Sequence, residues 1–330
     1  MLPDRTVERV LGTCLGLRRG ERVVLLVDPG SAPDVVAGLR DGITARGALV
    51  EVVELPLFDL PGSQLPEAAA ERLLAADAAI ELTSTFLGSS TARQRATAAG
   101  GRYLSMPAVV ADTFRLGGPY DVDFDALALT THAVSAAWEA ASTFRLTSPA
   151  GTDLTGSVAG RHGRALTGVA RAPGQYMAPP DIESGTAPVE GTANGVVVID
   201  GDFLFMGPGP VREPVVLTIR DGRLVSVEGD EGHRLTEVMD RCADPRMANL
   251  AEVSVGLNPA GTVCGVPMET ESTLGSAHIA LGNSIAYGGT VAAPAHLDCV
   301  LQHATLVLDD RPVLVDGDLV GTAAGRGARR

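Results

Sequence analysis

The chain has 330 residues, a net charge of −14, 45% hydrophobic and 20% charged content, which describes a globular protein with a sizeable core and room for two ordinary domains. The acidic balance argues against nucleic acid or an anionic membrane as a partner. Arginine supplies all 26 basic residues, which excludes a PLP Schiff base and a Walker A lysine.

In chain order, the opening MLPDRTVERV carries acidic residues early and lacks the apolar stretch of a secretory leader. Residues 21–28 (ERVVLLVD) form a short β-branched run expected as a buried parallel strand. The helical segment SAPDVVAGLRDGITARG follows, with a proline near its start. Residues 48–55, 78–84 and 102–107 continue as strands, separated by helical PEAAAERLLAAD and STARQRATAAG. DPGSAPD lacks the G-x-G-x-x-G spacing and reads as a plain strand-to-helix turn. This alternation predicts a Rossmann-like α/β domain with a parallel sheet over 1–143, ending in a helix at 123–142.

From residue 144 the texture predicts a mainly antiparallel β (α+β) domain extending to 330. TFRLTSPAGTDLTGSVAG reads as a strand pair, and RAPGQYMAPPDIESGTAP as a Pro/Gly-rich crossing segment. GVVVIDGDFLF and VVLTIRDGRLVSVEG read as hairpins, the second with Asp-Gly at its turn. RLTEVMDRCAD (234–244) is the one helix expected here, and TLVLDDRPVLVDGDL forms a last hairpin. The four cysteines contain no C-x-x-C pair, so neither a disulfide framework nor a structural zinc module is expected. No apolar run approaches the ~20 residues of a membrane span, and a cytoplasmic protein is expected.

The chemistry concentrates in GSAHIALGNSIAYGGTVAAPAHLDCV (275–300), which holds His278, His296 and Asp298. His296 and Asp298 project to the same side of an extended strand, because side chains repeat every second residue. Two imidazoles and one carboxylate can occupy one face of an Fe(II) ion, as in non-haem oxygenases, or hold zinc or cobalt in a hydrolase. Against this, H-x-D is a common tripeptide and His278 reads equally as a core histidine. Glu252, in the apolar stretch NLAEVSVGLNP, is costly to bury without a partner, so it is a metal ligand, a general base or half of an ion pair. Glu269 and Glu271 in METEST read as solvated. His132 and His162, the latter in GRHGR, read as structural or exposed, with an auxiliary acid–base role as the alternative; His233 and His303 have no ligand-like neighbours. Tyr287, before Gly288-Gly289, either reaches the same site or packs.

NLAEVSVGLNP, LGSAHIALG, YGGT and HLD, in that order, resemble the M29 metallopeptidase (aminopeptidase T/S) superfamily, including its 2,5-dihydroxypyridine 5,6-dioxygenase-like members. GTDLTGSVAG and STARQRATAAGGRYLSMP resemble further elements of that group, so the resemblance covers most of the chain and is strongest over 249–300. The aminopeptidases hold two metals with two glutamates, two histidines and the aspartate of H-x-D; the dioxygenase-like members hold one Fe(II) with His, His and Asp. The resemblance therefore implies His278, His296 and Asp298 as metal ligands and matches Glu252 to the later peptidase glutamate. The earlier glutamate is expected just before APPD, where the neutral Gln175 stands. This departure, with the short spacer between the two histidines, favours one metal.

The function so implied is a mononuclear non-haem Fe(II) ring-cleaving dioxygenase acting on a small hydroxylated (hetero)aromatic with O2. Glu252 is its catalytic proton-moving residue, with Arg93 or Arg145 receiving a substrate carboxylate. The alternative is a Zn- or Co-dependent aminopeptidase or amide hydrolase with Glu252 as base; a binding protein without either activity is a third reading. A homo-oligomer without nucleic-acid or membrane partners is expected.

Overall fold

A computed structural model describes residues 1–321. Two compact units divide the chain. Among the described residues, one comprises Met1–Phe124, Leu166–Asp181 and Val266–Glu269; the other comprises Asp125–Ala165, Ile182–Gly265 and residues 270–321.

The first unit is built on the parallel sheet expected from the strand–helix alternation. Arg22–Val27 lies between Leu49–Glu54 and Ala78–Glu81, followed by Arg102–Ser105 and the short Tyr176–Met177. Val23 to Leu26 are buried, as a continuous apolar run in a parallel sheet requires. Helices Pro33–Ala45, Glu67–Leu74 and Thr91–Ala98 form the connections. Pro33 opens the first where no N–H partner is missed, and Ser90 caps the third by accepting from the Arg93 N–H.

The second unit carries an eight-stranded and a six-stranded sheet. Thr143–Thr147 pairs antiparallel with Asp153–Ser157 as expected. Val215–Arg220 and Arg223–Glu228 form the expected hairpin, with Asp221 at φ 49° and Gly222 at φ 68°, the two positive values that such a tight turn demands. Helix His233–Cys242 falls where predicted.

Three expectations are corrected. Residues 195–205 are not a hairpin: Asn194–Ile199 joins the eight-stranded sheet, whereas Asp202–Phe203 pairs with His296–Leu301 in the other. The chain changes sheets at Gly201, where a Cβ would lie 2.7 Å from the Val300 carbonyl oxygen. The crossing segment contributes a buried strand, Glu183–Thr186, and Pro267–Ser272 forms a second helix. Among the described residues, no helix is long and apolar enough to cross a membrane.

Inside the first unit, Glu81 is fully buried. It accepts hydrogen bonds from the Leu87 N–H at 2.7 Å, the Tyr103 hydroxyl at 2.8 Å and the Ser105 hydroxyl at 2.9 Å. Burial nevertheless prevails over these bonds and pushes its pKa from 4.5 to about 7. The folded chain therefore binds a proton that the unfolded chain has released across that window. Stability from this group is complete below pH 4.5 and declines as pH rises towards 7, by about 3 kcal/mol in all. Glu81→Gln removes this slope: in urea unfolding at pH 5 and pH 7.5, the wild type loses stability relative to the variant at the higher pH. An unchanged difference between the two pH values would contradict the assignment.

Candidate metal centre

The six-stranded sheet runs Asp202–Phe203, His296–Leu301, Ala277–Gly282, Leu250–Gly256, Glu183–Thr186, Arg164–Leu166. Its register explains how distant residues meet. Asp298 lies opposite Ala280, which lies opposite Glu252; His278 lies opposite Ser254, and Glu183 opposite Gly256. Directly opposed residues share a face and alternate residues repeat it. Glu183, Glu252, His278, His296 and Asp298 therefore project from one face, with Gly185, Ser254, Gly256 and Ala280 between them. The small residues provide room. A Cβ on Gly185 would lie 1.6 Å from the Ser254 hydroxyl oxygen, and one on Gly256 would lie 2.6 Å from the Glu271 carbonyl oxygen.

Two sets of three donors each lie within 4.8 Å of one another: Glu183, Glu271 and His278, and Glu252, His296 and Asp298. The expected ligands are thus distributed over both sets, and Glu252 links them. Its Oε2 is 2.9 Å from His296 Nε2 and its Oε1 is 3.3 Å from His278 Nε2. Glu183 Oε2 lies 3.2 Å from His278 Nε2, and Asp298 Oδ1 lies 3.1 Å from His296 Nε2. His296 Nδ1 faces the Asn283 carbonyl at 2.7 Å, which places a proton there and directs Nε2 to the centre. Tyr287 stacks on His296, with centroids 5.4 Å apart and planes 7° apart, and donates its hydroxyl to Glu183 Oε1 at 3.0 Å.

Electrostatics define the site. Burial pushes both imidazoles down, yet their carboxylate neighbours overcome it. His278 rises to about 9 beside Glu183 and Glu252, and His296 rises well above its ordinary value beside Asp298 and Glu252. Burial raises Glu252, but its bonds to His278 and His296 hold it near 2. For Glu183 burial prevails, opposed by His278 and reinforced by Glu252 and Asp298, and its pKa reaches about 7. Protons on the imidazoles thus balance the buried carboxylates, a role that a divalent cation performs equally. The residues fit such an ion. The donors are carboxylates and imidazoles of the kind that Fe(II), zinc and cobalt accept, and His278 Nδ1 is buried without a hydrogen-bond partner.

Other expected positions resolve differently. Gln175 is outside the cluster, its amide oxygen accepting the Ala172 N–H at 2.8 Å; the carboxylate in that part of the chain is Glu183. That part of the chain therefore supplies a buried carboxylate, and Gln175 does not stand in its place. Glu269 and Glu271 are buried, not solvated: Glu269 accepts from Arg115 Nη2 at 2.7 Å, and Glu271 belongs to the first donor set. His132 is exposed, and His162 is exposed beside Glu139. Arg145 is held through two bonds by Asp153, while Arg93 donates to the Gly88 carbonyl and lies over the Tyr176 ring. Sequence reading misses Glu183 and takes Glu271 for solvated charge; their segments lack the periodicity that marks an element, though each holds a carboxylate among small residues.

A family model described as NicX, 2,5-dihydroxypyridine 5,6-dioxygenase, matches residues 4–321. A curated 2,5-dihydroxypyridine 5,6-dioxygenase of Pseudomonas putida KT2440 is 28% identical over 170 residues, 48% of this chain and 49% of that protein; the aligned region spans about half that relative's length. The solved structure of 2,5-dihydroxypyridine dioxygenase from Pseudomonas putida KT2440 is similar, with a TM-score of 0.75, 23% identity and 96% of each chain covered. Wild-type AmpT from Thermus thermophilus shares the fold with a TM-score of 0.68, 18% identity, and coverage of 96% of this chain and 98% of that one.

Because the imidazoles carry protons that a cation must displace, loading a dication onto chelator-treated protein releases protons at pH 7, and affinity rises between pH 6 and pH 8. Calorimetry in buffers of different ionisation enthalpy measures the release. Zero release, with pH-independent affinity, would place the ion elsewhere.

Proposed function

The chain belongs to the 2,5-dihydroxypyridine 5,6-dioxygenase (NicX) family, and from that membership we propose that it opens the ring of a small hydroxylated heteroaromatic with O2, using one Fe(II) held by His278, His296 and Asp298. Membership along nearly the whole chain is the observation that carries this reading. The chemistry is self-contained: in a dioxygenase both atoms of O2 enter the product and the ring supplies the electrons, so no external reductant is needed. Bound iron would supply a redox-active centre at which the two substrates meet.

The chain's own residues supply the rest. Glu252, between the two imidazoles, keeps their Nε2 atoms turned inward, and it is the acceptor for a proton leaving a substrate hydroxyl once those imidazoles are no longer protonated and its basicity is restored. Glu183, with a pKa near 7, is suited to hold a proton next to the Tyr287 hydroxyl. The Tyr287–His296 stack offers a flat wall for a planar ring. His296 and Asp298 are half-buried whereas His278 and Glu252 are fully buried, so substrate approaches from the His296 side. The amide-hydrolase alternative is not favoured, because the family matched along the chain is the dioxygenase one. The same reading has the protein acting as a cytoplasmic homo-oligomer on small molecules, with 144–330 as its metal-holding part. The net charge of −14 supports the exclusion of nucleic acid and anionic membrane as partners.

Iron-loaded protein, prepared anaerobically, takes up one O2 per 2,5-dihydroxypyridine consumed. Replacing His278, His296 or Asp298 by Ala lowers turnover by more than the roughly 10–100-fold typical of an outer partner of a metal ligand. Release of amine from aminoacyl anilides without O2 uptake would overturn the reading.

A further inference from the structure

The 3-10 turn Ile285–Tyr287 contains no buried residue, so apolar packing does not fix it. Yet its last residue lies flat against His296 and bonds to Glu183. Polar contacts hold it instead, and they come largely from the segment GRHGR. Arg164 Nη1 donates to the Ala286 carbonyl at 2.6 Å, the Ala187 N–H donates to the Tyr287 carbonyl at 3.1 Å, and Arg161 Nη1 donates to the Gly288 carbonyl at 2.6 Å. Three consecutive carbonyls are thereby captured. The Arg164 guanidinium also lies over the Tyr287 ring, 4.7 Å from its centroid, a combination that a planar cation with several donors can make. Arg161 pairs in addition with Glu190, whose Oε1 accepts from the N–H and hydroxyl of Thr290 at 2.7 and 2.9 Å.

The holding segment is itself rigidly seated. The Ser135 hydroxyl donates to the Gly163 carbonyl at 2.8 Å, and a Cβ on Gly163 would lie 2.0 Å from the Ser135 carbonyl oxygen, so the backbone is pressed against helix Phe124–Ala140. The Thr186 and Ser184 hydroxyls donate to the carbonyls of His162 and Arg164 at 2.9 and 2.7 Å. Both belong to the strand that carries Glu183. One rigid frame therefore locates Glu183 and, through the two arginines, the tyrosine that bonds to it.

We propose that Arg161 and Arg164 are positioning residues of the metal centre, which hold Tyr287 in register with His296 and Glu183. The activity arm of its test rests on the ring-cleavage reading; the structural arm does not. Hydrogen exchange is measured on the metal-free protein for Arg164→Met, Arg161→Met and Arg164→Lys, comparing peptides over 284–291 with the sheet strand 250–256. The two methionine variants accelerate exchange in 284–291 by roughly tenfold or more and leave 250–256 as in the wild type. Arg164→Lys, which keeps the charge and a donor, recovers most of the protection. In the iron-loaded enzyme, Arg164→Met lowers kcat by roughly 10- to 100-fold, the range expected of a small misplacement, with partial rescue by lysine. Wild-type exchange in 284–291, or equal acceleration in both peptides, overturns the proposal. Should wild-type enzyme show no ring cleavage, that reading fails, and the exchange comparison alone still decides whether the arginines position Tyr287.

Discussion

Buried negative charge is the constraint on which this protein's site depends. Glu183, Glu252 and Glu271 are withdrawn from water beside Asp298, on a chain with no lysine. Such a cluster is tolerable only when positive charge accompanies it at bonding distance. The two imidazoles provide that charge in the protein alone, with Glu252 between them. On the proposed reading, those protons stand where a cation would bind, and the arrangement that balances the buried carboxylates without an ion is the one that an ion would complete.

The antiparallel sheet makes this concentration possible. One face of four strands can present a donor at every second position, and the row Glu252–Ala280–Asp298 alternates with the row Ser254–His278–Val300. Donors with small neighbours fit together without steric conflict; a larger residue at Gly185 would collide with Ser254. The graded exposure across this face, closed at His278 and more open at His296 and Asp298, gives the site a direction. Tyr287 stands at the open end, on a turn whose carbonyls are tied down rather than packed. On the proposed reading, rigidity at that point serves a planar substrate, which, oriented against the stack, loses less freedom on reaching the reactive geometry.

Much of this was legible in the residues. Short apolar runs separated by helical segments specify a parallel sheet whose inner strands are covered on both faces, and the strands fall where those runs lie, although the edge strand Leu49–Glu54 stays largely exposed. His296-x-Asp298 reads correctly as two side chains on one face because a strand's period is two. Glu252 stood out as a carboxylate in an apolar strand. The remaining parts depend on contacts distant in sequence. Glu183 lies in a strand of Glu, Ser, Gly and Thr, which has no apolar alternation to announce it, and the family resemblance points to the neutral Gln175 instead. Glu269 and Glu271 resemble solvated charge until a six-residue helix buries both and Arg115 meets the first. The change of sheets at Gly201 follows from its approach to Val300, which no local propensity encodes.

The central claim is that one cation occupies the space among His278, His296, Glu252 and Asp298. Anomalous scattering at the iron edge, from crystals loaded with Fe(II) in the absence of O2, locates it directly. The account predicts a single strong peak roughly 2.0–2.3 Å from an imidazole nitrogen and a carboxylate oxygen of this cluster, distances ordinary for such ligands. Density showing the imidazoles still paired with Glu252 and Glu183, with the iron signal elsewhere or missing, would contradict it.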